Sequence, residues 1–457
     1  MQHDIFNSGT VEMLSQPVPR YTSYPTAPHF RADFSADLYN EWLYSLSLKT
    51  PISLYFHIPF CERMCWYCGC HTQITRRDDL VEKYIFALIN EISLITSKLP
   101  HRAKVCHVHF GGGTPNIVPP HLFKKLMTAI HQKFEIIDSA ELAIELDPRT
   151  LQDDFIDMLG SENFTRASLG VQDFDLKVQR AINREQPFEL VQEKFQRLRD
   201  VGIQGINFDL IYGLPLQNQQ TILDTLHKTS LLQPDRLSVF GYAHVPWMKS
   251  HQKMVEKSPL PNARERLVLF DALCNGLKKD GYQMIGIDHF ARPKDPLSQA
   301  LKEKKLHRNF QGYTTDPAKT LLGFGASAIS QNEKGFIQNI IGIGDYQKQI
   351  INNSLPVSRG LKTSQDDQQR AAIIEQIMCY GRVNLREFFT PQKIAPSTTD
   401  ETLKNLAPYL QKNIIELSRD QILTIKDPQL VPFFARLIAS AFDQYFEATV
   451  KRHSKAI

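Results

Sequence analysis

Short apolar runs alternate with amphipathic stretches through the middle of the chain, from residue 51 onward. The apolar runs have strand length, and they are Ile52–Ile58, Val105–Phe110, Leu142–Leu146, Ala167–Val171, Ile206–Ile211 and Leu237–Tyr242. A polar loop and a stretch with helical periodicity follow each run. The predicted helices lie near Leu80–Lys98, Pro120–Lys133, Leu151–Leu159, Glu189–Val201, Gln219–Leu232 and Asn262–Lys279. Because strands alternate with helices, the pattern indicates parallel β/α units.

The number of units and the flanking regions decide the predicted architecture. Six β/α units are too few to close an eight-stranded barrel, so we predict an α/β fold built on an open, partial (β/α)6 barrel. The barrel and its extension occupy residues 51–362. Residues 1–50 form an N-terminal arm, in which Pro19–Pro28 is rich in Pro and Tyr and is extended rather than helical. Residues 363–457 form a small, mostly helical C-terminal domain.

Periodicity weakens after the sixth unit. Gly281–Pro293 predicts one more strand that leaves the barrel. His307–Thr315 and Leu322–Ile329 contain aromatic, basic, amide and glycine residues without helical spacing, and we interpret them as a binding loop rather than as core. In the C-terminal domain we predict helices around Asp366–Cys379, Asp400–Gln411 and Pro432–Thr449, and a hairpin within Ile414–Ile425.

Bulk properties narrow the class of protein. The 457 residues carry a formal net charge of +4, which is too small to predict nucleic-acid binding. No apolar run is long enough to span a membrane. Met1–Asp4 is not the start of a signal peptide, because no charged segment with an apolar run follows. We therefore expect a cytoplasmic, monomeric enzyme with reduced cysteines and with neither nucleic acid nor membrane as a partner.

The densest chemistry lies in the loop after the first strand. Four of the seven cysteines fall between Cys61 and Cys70, and the first three have the spacing C-x3-C-x2-C. Three thiolates on one tight loop can bind three corners of an iron–sulfur cube. The fourth iron then keeps an open position, which is where a metal site does chemistry. This spacing resembles the signature of radical S-adenosylmethionine (SAM) enzymes, in which the open iron holds the cofactor's amino and carboxylate groups.

Disulfide bonds and a structural zinc site are two other uses of closely spaced cysteines. Disulfides are disfavoured without secretion. A structural zinc site could use Cys65, Cys68, Cys70 and His71, but zinc sites usually draw ligand pairs from separated segments, and these residues share one loop. Cys106, Cys274 and Cys379 are isolated in the sequence and are predicted to be small core residues.

Polar residues follow the other strands at the edge where the cysteine loop begins. In β/α barrels the active site gathers at the carboxyl ends of the strands. The residues at these ends are Gly111–Thr114, Glu145, Asp147, Gln172, Asp209 and Tyr242–His244. Glycines allow a ligand to approach the backbone closely, and carboxylates can accept hydrogen bonds from ribose hydroxyls or an ammonium group. Arg184 could pair with a cofactor carboxylate, although a surface salt bridge explains it equally well.

Taken together, these motifs resemble one family, the oxygen-independent coproporphyrinogen III oxidases (coproporphyrinogen dehydrogenases) of haem biosynthesis. The likeness extends over nearly the whole chain. It is carried by Pro19–Thr26, His57–Cys70, Phe110–Pro115, Gly170–Phe174, Val178–Gln186, Asp209–Pro215, Asp235–Val239, Tyr242–His244, Gly286–Pro293 and His307–Thr315. Two places depart from it: Gly241, where we expect a larger polar residue, and Cys379–Arg382.

The resemblance implies roles for individual residues and a barrel of the radical SAM type. Cys61, Cys65 and Cys68 would bind a [4Fe–4S] cluster, and Cys70 is a further cysteine tied to activity. The positions that match contacts of a first SAM molecule are Tyr55, Gly112, Glu145 and Ile329. Those that match contacts of a second are Tyr67, Gly113, Thr114, Gln172, Arg184, Asp209 and Ala243.

The resemblance also implies the reaction. A 5′-deoxyadenosyl radical would abstract hydrogen from the propionate β-carbon of coproporphyrinogen III, and loss of carbon dioxide and one electron would leave a vinyl group. Two such steps give protoporphyrinogen IX, and an electron donor protein would be a further partner. The substrate carries four carboxylates, so we expect basic residues near it and choose Arg20, Arg292 and Arg308 as candidates.

Two alternatives from other classes remain at this stage. A radical-SAM-like haem chaperone would bind and transfer haem, but that group lacks the extra cysteine and the tyrosine-rich arm, which this chain has at Cys70 and Pro19–Thr26. A zinc-stabilised scaffold would bind zinc and show no iron–sulfur absorbance.

Overall fold

A computed structural model describes residues 6–388 and 396–446. The strands are β1 (Ile52–Ile58), β2 (Phe60–Cys61), β3 (Gln73–Ile74), β4 (Lys104–Gly112), β5 (Glu135–Leu146), β6 (Arg166–Gln172), β7 (Gly205–Tyr212), β8 (Arg236–Gly241), β9 (Gln283–Ile285), β10 (His289–Ala291), β11 (His307–Asn309), β12 (Gly312–Thr314), β13 (Leu321–Phe324), β14 (Ile329–Asn332), β15 (Gly335–Asn339), β16 (Val357–Lys362), β17 (Arg382–Asn384), β18 (Ile415–Leu417) and β19 (Ile422–Ile425).

Helices connect most of these strands. They are α1 (Ser8–Leu14), α2 (Ala36–Tyr44), α3 (Asp78–Thr96), α4 (Pro120–Lys133), α5 (Asp153–Ser161), α6 (Leu176–Ala181), α7 (Phe188–Asp200), α8 (Gln219–Leu232), α9 (Ala263–Lys279), α10 (Pro296–Glu303), α11 (Ile343–Ile351), α12 (Gln365–Tyr380), α13 (Pro396–Gln411) and α14 (Val431–Ser440). Short 3₁₀ helices occupy Ala27–His29, Pro115–Ile117, Ser250–Lys257, Leu385–Glu387 and Pro428–Leu430.

The predicted β/α units form the centre of one 12-stranded sheet. Its strand order is β16-β15-β14-β13-β1-β4-β5-β6-β7-β8-β10-β9. The strands from β13 to β8 run parallel. The six predicted strands and their helices are confirmed: β1 has the predicted bounds, as do α4 and α8, whereas β5 starts seven residues before its predicted first residue. The open, partial α/β barrel predicted from the alternating pattern is therefore confirmed.

Antiparallel strands extend the sheet at both edges. β14, β15 and β16 follow β13 on one side, and β10 and β9 follow β8 on the other. The single strand predicted within Gly281–Pro293 is thus two short strands. β13 lies beside β1 with Leu322 and Phe324 buried, so interpreting this segment only as a binding loop was wrong. Four residues interrupted by Gly323 are too few to show a strand period.

The arm and the C-terminal region pack against the barrel. In the arm, Tyr21 Oη donates to Asp443 (3.0 Å), and Arg31 forms an antiparallel bridge with Gly360 of β16. The C-terminal region contains α12, α13 and α14 with a three-stranded sheet in the order β17-β19-β18, in agreement with the predicted helices and hairpin. The last predicted helix, Pro432–Thr449, ends at Ser440, so its predicted C-terminal boundary was wrong: residues 441–446 are not helical, and 447–449 lie outside the described residues. One continuous apolar cluster runs from Leu14 to Phe442, and the three-part division of the chain stays a prediction.

Within residues 6–388 and 396–446, no helix combines the length and the apolar character needed to cross a membrane.

Candidate active site

The cysteine loop follows β1 and is held on several sides. β2 pairs with β3, and Trp66 N donates to Ile182 O (2.9 Å). Three side chains of the segment 249–252 donate to backbone oxygens of the loop. Lys249 Nζ reaches Cys70 O (2.8 Å), His251 Nε2 reaches Cys68 O (2.8 Å), and Gln252 Nε2 reaches Tyr67 O (2.9 Å). These bonds fix the loop backbone, so the thiols keep their directions.

Hydrogen-bond donors point at the first of the three predicted ligand thiols. Thr72 Oγ1 and Thr114 Oγ1 each lie 3.3 Å from Cys61 Sγ. Burial raises the pKa of this thiol, and both hydroxyl contacts oppose that increase. The resemblance assigns Thr114 to a second SAM molecule, and the structure places its hydroxyl against the sulfur of Cys61.

The other two ligand thiols receive donors of different kinds. Arg149 Nη2 lies 3.3 Å from the buried Cys65 Sγ, and Arg184 Nη1 lies 3.4 Å from it. Cys68 Sγ accepts from the backbone N–H of Cys70 (3.4 Å). Hydrogen bonding from Cys70 lowers the pKa of the Cys68 thiol to about 6. Donors directed at sulfur stabilise thiolates, which are the form that binds metal.

The arrangement fits an iron–sulfur cluster better than a single zinc ion. Ligands of one zinc converge on a point about 2.3 Å from each sulfur. No group of three or more His, Cys, Asp or Glu side chains within the described part of the chain converges in that way. His71 Nε2 instead contacts Ile341 O (2.8 Å), on the far side of the loop. Three thiols from one loop, each with its own donors, suit separate corners of a cube.

Glycines bring β4 close to the cysteine loop. A Cβ on Gly113 would lie 2.5 Å from Phe60 O, so no larger residue fits there without movement of the backbone. Gly112 has φ +115°, and its N–H donates to Glu145 Oε2 (3.0 Å). His109 Nε2 lies 3.1 Å from the other oxygen of Glu145. Burial opposes ionisation of Glu145, but these two contacts outweigh it and lower the pKa of the carboxyl.

Two further predicted residues lie at the ends of β6 and β7. Asp209 accepts hydrogen bonds from Ser168 Oγ (3.0 Å) and Asn207 Nδ2 (2.8 Å). Burial and the nearby Glu145 raise the pKa of Asp209 to about 6. Gln172 is buried and has φ +67°, which turns the chain at the end of β6.

Arg184 is buried rather than part of a surface salt bridge. Its Nη1 and Nη2 lie 3.1 and 3.3 Å from the two oxygens of Asp147, and Nη2 also donates to Gly170 O (2.6 Å). Asp147 also forms an ion pair with Arg149, in which Nη2 of the arginine lies 2.6 Å from Oδ2 of the aspartate. Burial opposes the charge of Asp147, but both guanidinium groups outweigh it and hold the pKa of its carboxyl well below the usual range.

Two cavities open at this edge of the sheet. One, of about 890 Å³, is lined by Tyr55, Glu145 and Ile329, three of the residues predicted to contact a first SAM molecule. The other, of about 880 Å³, is lined by Ala243, from the predicted second set. Arg20 lines the second cavity and the adjacent Tyr21 lines the first, so the arm runs between them.

The candidates for binding substrate carboxylates divide into two groups. Arg20 and Arg308 line the two cavities. Arg292 lies at the amino ends of the parallel strands, on the side of the sheet opposite the site. Its prediction as a substrate ligand was therefore wrong. Its guanidinium donates to Asp280 O (2.5 Å), next to the start of β9, and sits 3.9 Å over the Tyr282 ring. The reason is that β10 runs antiparallel to β8. The chain therefore leaves β10 at the end of the sheet opposite the carboxyl ends of the parallel strands.

The sequence analysis did not predict several residues that line the site. Arg149 follows β5 at the active edge, and its position two residues after Asp147 could have revealed it. Gln252 comes from a short 3₁₀ helix, and Arg266 and Arg436 come from helices that the chain reaches much later. No local pattern marks these three, because only the return of the chain places them at the site.

Comparisons with known proteins agree with this geometry. The profile of the radical SAM superfamily matches residues 55–229. An oxygen-independent coproporphyrinogen III oxidase of Bradyrhizobium diazoefficiens is 47% identical over 440 residues, which cover 96% of this chain and 97% of that protein. Another protein of that description, from Helicobacter pylori, is 37% identical over 449 residues, with 97% of each chain covered.

A solved structure shows the same fold. Coproporphyrinogen III oxidase of Escherichia coli, described as a radical SAM enzyme, superposes with a TM-score of 0.87 at 35% identity and covers 94% of this chain and 100% of its own. With relatives this similar over almost their full lengths, the chain belongs to the oxygen-independent coproporphyrinogen III oxidase family of radical SAM enzymes.

Proposed function

We propose that this chain catalyses the oxygen-independent oxidative decarboxylation of coproporphyrinogen III. Two propionate side chains become vinyl groups, and the product is protoporphyrinogen IX. The observation that carries the proposal is the cysteine loop at the carboxyl edge of the sheet, with a donor on every ligand thiol and two large cavities beside it. The radical-SAM-like haem carriers resemble this chain in the cluster loop, but they lack the extra cysteine and the tyrosine-rich arm that this chain has at Cys70 and Pro19–Thr26.

The cofactors follow from the same residues. Cys61, Cys65 and Cys68 would hold a [4Fe–4S] cluster. With SAM, this cluster supplies a carbon radical able to remove hydrogen from an unactivated C–H bond, which no side chain can do. The protein's part is to orient the reactants and to exclude water. The hydroxyls on Cys61 and the guanidinium groups on Cys65 hold the ligand sulfurs in place.

We place two SAM molecules at this edge. The first would lie against Tyr55, Gly112, Glu145 and Ile329, where the Glu145 carboxylate can accept hydrogen bonds from an ammonium or ribose group. The second would lie against Tyr67, Gly113, Thr114, Gln172, Arg184, Asp209 and Ala243. The contacts of Arg184 with Asp147 leave its Nε buried and without a partner among the described residues, which suits a further acceptor.

The remaining assignments rest on the sequence. An electron donor protein would reduce the cluster. The monomeric state, the cytoplasmic location and the exclusion of nucleic acid and membrane as partners stay predictions. Cys70 lies exposed beside the cluster ligands and is proposed as a residue that acts on the substrate.

An anaerobic assay tests the function. Reconstituted protein is incubated with coproporphyrinogen III, SAM and a chemical reductant, and the products are oxidised and separated as porphyrins. We expect protoporphyrin together with 5′-deoxyadenosine, and neither product from Cys65→Ser. The matched control Cys106→Ser removes a thiol far from the loop and should keep activity. Stable haem binding without any porphyrin product would contradict the proposal and favour the chaperone alternative.

A further inference from the structure

Three arginines converge on the 880 Å³ cavity beside β8. Arg20 comes from the arm, Arg266 from the first turn of α9 and Arg436 from α14. The rest of the lining is largely aromatic and aliphatic, and it includes Tyr212, Phe240, Tyr242, Trp247, Leu260, Phe270 and Pro432. The cavity therefore combines an apolar wall with a concentration of positive charge.

The charges of two of these arginines, Arg20 and Arg266, are not paired with carboxylates of the described residues. Within the described part of the chain, neither Arg20 nor Arg266 lies within ion-pair distance of a carboxylate. Arg20 Nη2 donates to Gly241 O (3.0 Å), and Arg266 Nη2 donates to Tyr242 O (3.0 Å). The Nε of Arg266 is buried and, among the described residues, has no hydrogen-bond partner.

Asp288 is the acidic residue in the lining, and other groups already engage it. His289 Nδ1 lies 2.7 Å from its Oδ1, and Arg308 Nη1 lies 3.5 Å from the same oxygen. Arg308 also donates to the backbone oxygen of Arg20 (3.4 Å), so it stands behind the arm at the border of the two cavities. The cavity therefore keeps an excess of positive charge even with Asp288 ionised.

The lowered pKa values of the guanidinium groups also favour an anionic ligand. Burial and the neighbouring Arg20 lower the pKa of Arg436 to about 9. Burial lowers the pKa of Arg266 as well, whereas Arg20 lines the cavity but is exposed to solvent. Desolvated like charges are costly unless an anion joins them. A ligand with several carboxylates would relieve this cost at Arg266 and Arg436 and could also pair with Arg20.

Gly241 creates space for this arrangement. A Cβ at this position would lie 2.9 Å from Tyr212 Oη and 3.2 Å from Arg266 Nη2. A larger residue would push both groups away from the cavity. The departure from the family pattern noted at Gly241 thus falls in the wall of this cavity.

We propose that this cavity is the binding site of the tetrapyrrole substrate, whose propionate carboxylates pair with Arg20, Arg266 and Arg436 while its macrocycle packs against the aromatic wall. This inference rests on the proposed function for the identity of the substrate. The volume lies within the roughly 300–1,000 Å³ typical of small-molecule sites. The proposed second SAM site shares only Ala243 with this cavity. SAM also matches the charge of the cavity poorly, because its one carboxylate is offset by its own ammonium and sulfonium groups.

The site is tested with coproporphyrin III, the stable oxidised tetrapyrrole that carries the same four propionates. Reconstituted holoenzyme is titrated anaerobically, and binding is followed by quenching of protein fluorescence. Arg266→Gln and Arg20→Gln should each weaken binding at least about tenfold, because each removes a charge-assisted hydrogen bond. The matched control is Arg292→Gln, which changes a guanidinium at the opposite edge of the sheet and should stay within about twofold of the wild type.

A second ligand series separates charge recognition from a general loss of structure. The wild type should bind the tetramethyl ester of coproporphyrin III at least about tenfold more weakly than the free acid. In Arg266→Gln and Arg20→Gln this preference should shrink, whereas cluster absorbance and SAM binding stay unchanged. Equal binding of the free acid by the wild type and both variants would overturn the proposal.

The outcomes also show whether the substrate site or the proposed reaction is wrong, because the two can fail independently. If the wild type shows no turnover but the arginine variants still lose affinity for coproporphyrin III, the site stands and the reaction assignment fails. If the wild type turns over and the variants bind and react normally, the reaction assignment stands and the site is overturned.

Discussion

At the scale of single residues, the three thiols proposed as cluster ligands have unequal surroundings. Cys65 receives two guanidinium donors, from Arg149 and Arg184, whereas the other two thiols receive hydroxyl or backbone donors. Asp147 binds both guanidinium groups and fixes their directions. Hydrogen bonds to cluster sulfurs favour the more negative, reduced cluster and so raise its potential. We therefore expect Cys65 to be the proposed ligand at which the protein adjusts the potential of the cluster most strongly.

Arg149→Gln should lower the midpoint potential of the reconstituted cluster. The loss of about 1 kcal/mol of differential stabilisation corresponds to about 40 mV for a one-electron couple. Anaerobic potentiometric titration followed by electron paramagnetic resonance measures it. Arg197→Gln removes a guanidinium from an exposed pair with Asp157 and should leave the potential unchanged. Equal potentials for Arg149→Gln and the wild type would show that this donor has no electronic effect.

The variant Cys70→Ser tests whether Cys70 is a ligand of the cluster or a catalytic residue. Cys68 Sγ accepts hydrogen bonds from both the backbone N–H and the side chain of Cys70; serine keeps the backbone N–H and replaces the thiol with a hydroxyl that can also donate. We expect wild-type iron content and absorbance but a fall in turnover of about 100-fold, the size typical of a lost proton-transfer group. Iron analysis and the anaerobic assay measure both. Loss of the cluster in this variant would make Cys70 a ligand and refute the assignment of the open iron position.

At the scale of elements, helix ends place residues at the site. α9 begins with a capping box, in which Asn262 Oδ1 accepts from Glu265 N (3.0 Å) and Glu265 Oε2 accepts from Asn262 N (2.7 Å). This cap fixes the first turn of α9 and thereby Arg266, the next residue along. The 3₁₀ helix Ser250–Lys257 has a similar role, since its buried Gln252 donates to both Tyr67 O and Ala243 O.

Asn262→Ala should destabilise the protein by about 1 kcal/mol, because it removes the acceptor for a helix N-terminal N–H. In a protein of this size we expect the thermal midpoint to fall by about 1 °C. Asn275→Ala, at an exposed position inside the same helix, should have no effect or a slightly stabilising one. Scanning calorimetry compares the two variants, and equal midpoints for both would mean that the cap contributes nothing.

At the scale of the whole molecule, one buried carboxyl group joins the barrel to its extension. Glu91 of α3 is fully buried and accepts from Gly325 N, Asn339 Nδ2 and Tyr346 Oη, each at 2.7 Å. Gly325 follows β13, Asn339 is the last residue of β15, and Tyr346 lies in α11. Burial raises the pKa of Glu91 to about 7 in spite of the three donors. The group therefore couples the packing of two parts of the fold to pH.

The sign of this coupling gives a test. The folded pKa of about 7 lies above the value of about 4.3 for an unfolded glutamate. The stabilisation from the protonated group is complete below pH about 4.3 and is lost as pH rises towards 7. Glu91→Gln cannot ionise, so its thermal midpoint should fall less than that of the wild type between pH 5 and about 7.5. Identical pH slopes for the two proteins would contradict the raised pKa.

Much of the barrel could be predicted because its information is local. Each β/α unit carries its own change from strand to helical periodicity, and the carboxyl ends of parallel strands share one edge by geometry. That rule alone brought the cysteine loop, Glu145 and Asp209 to the same edge, as observed. The roles of these residues toward the cofactors came from the family resemblance and stay proposals.

By itself, therefore, the sequence determined the parallel barrel, the loop that can hold a cluster and the edge at which chemistry occurs, since periodicity and spacing are local properties. The tertiary structure alone decided which distant side chains complete the site. It inserted the short β13 beside β1, brought Arg266 and Arg436 to the cavity, and placed Arg292 at the opposite edge. Such contacts depend on where the chain returns after many residues, and no local pattern of hydrophobic and polar positions encodes that return.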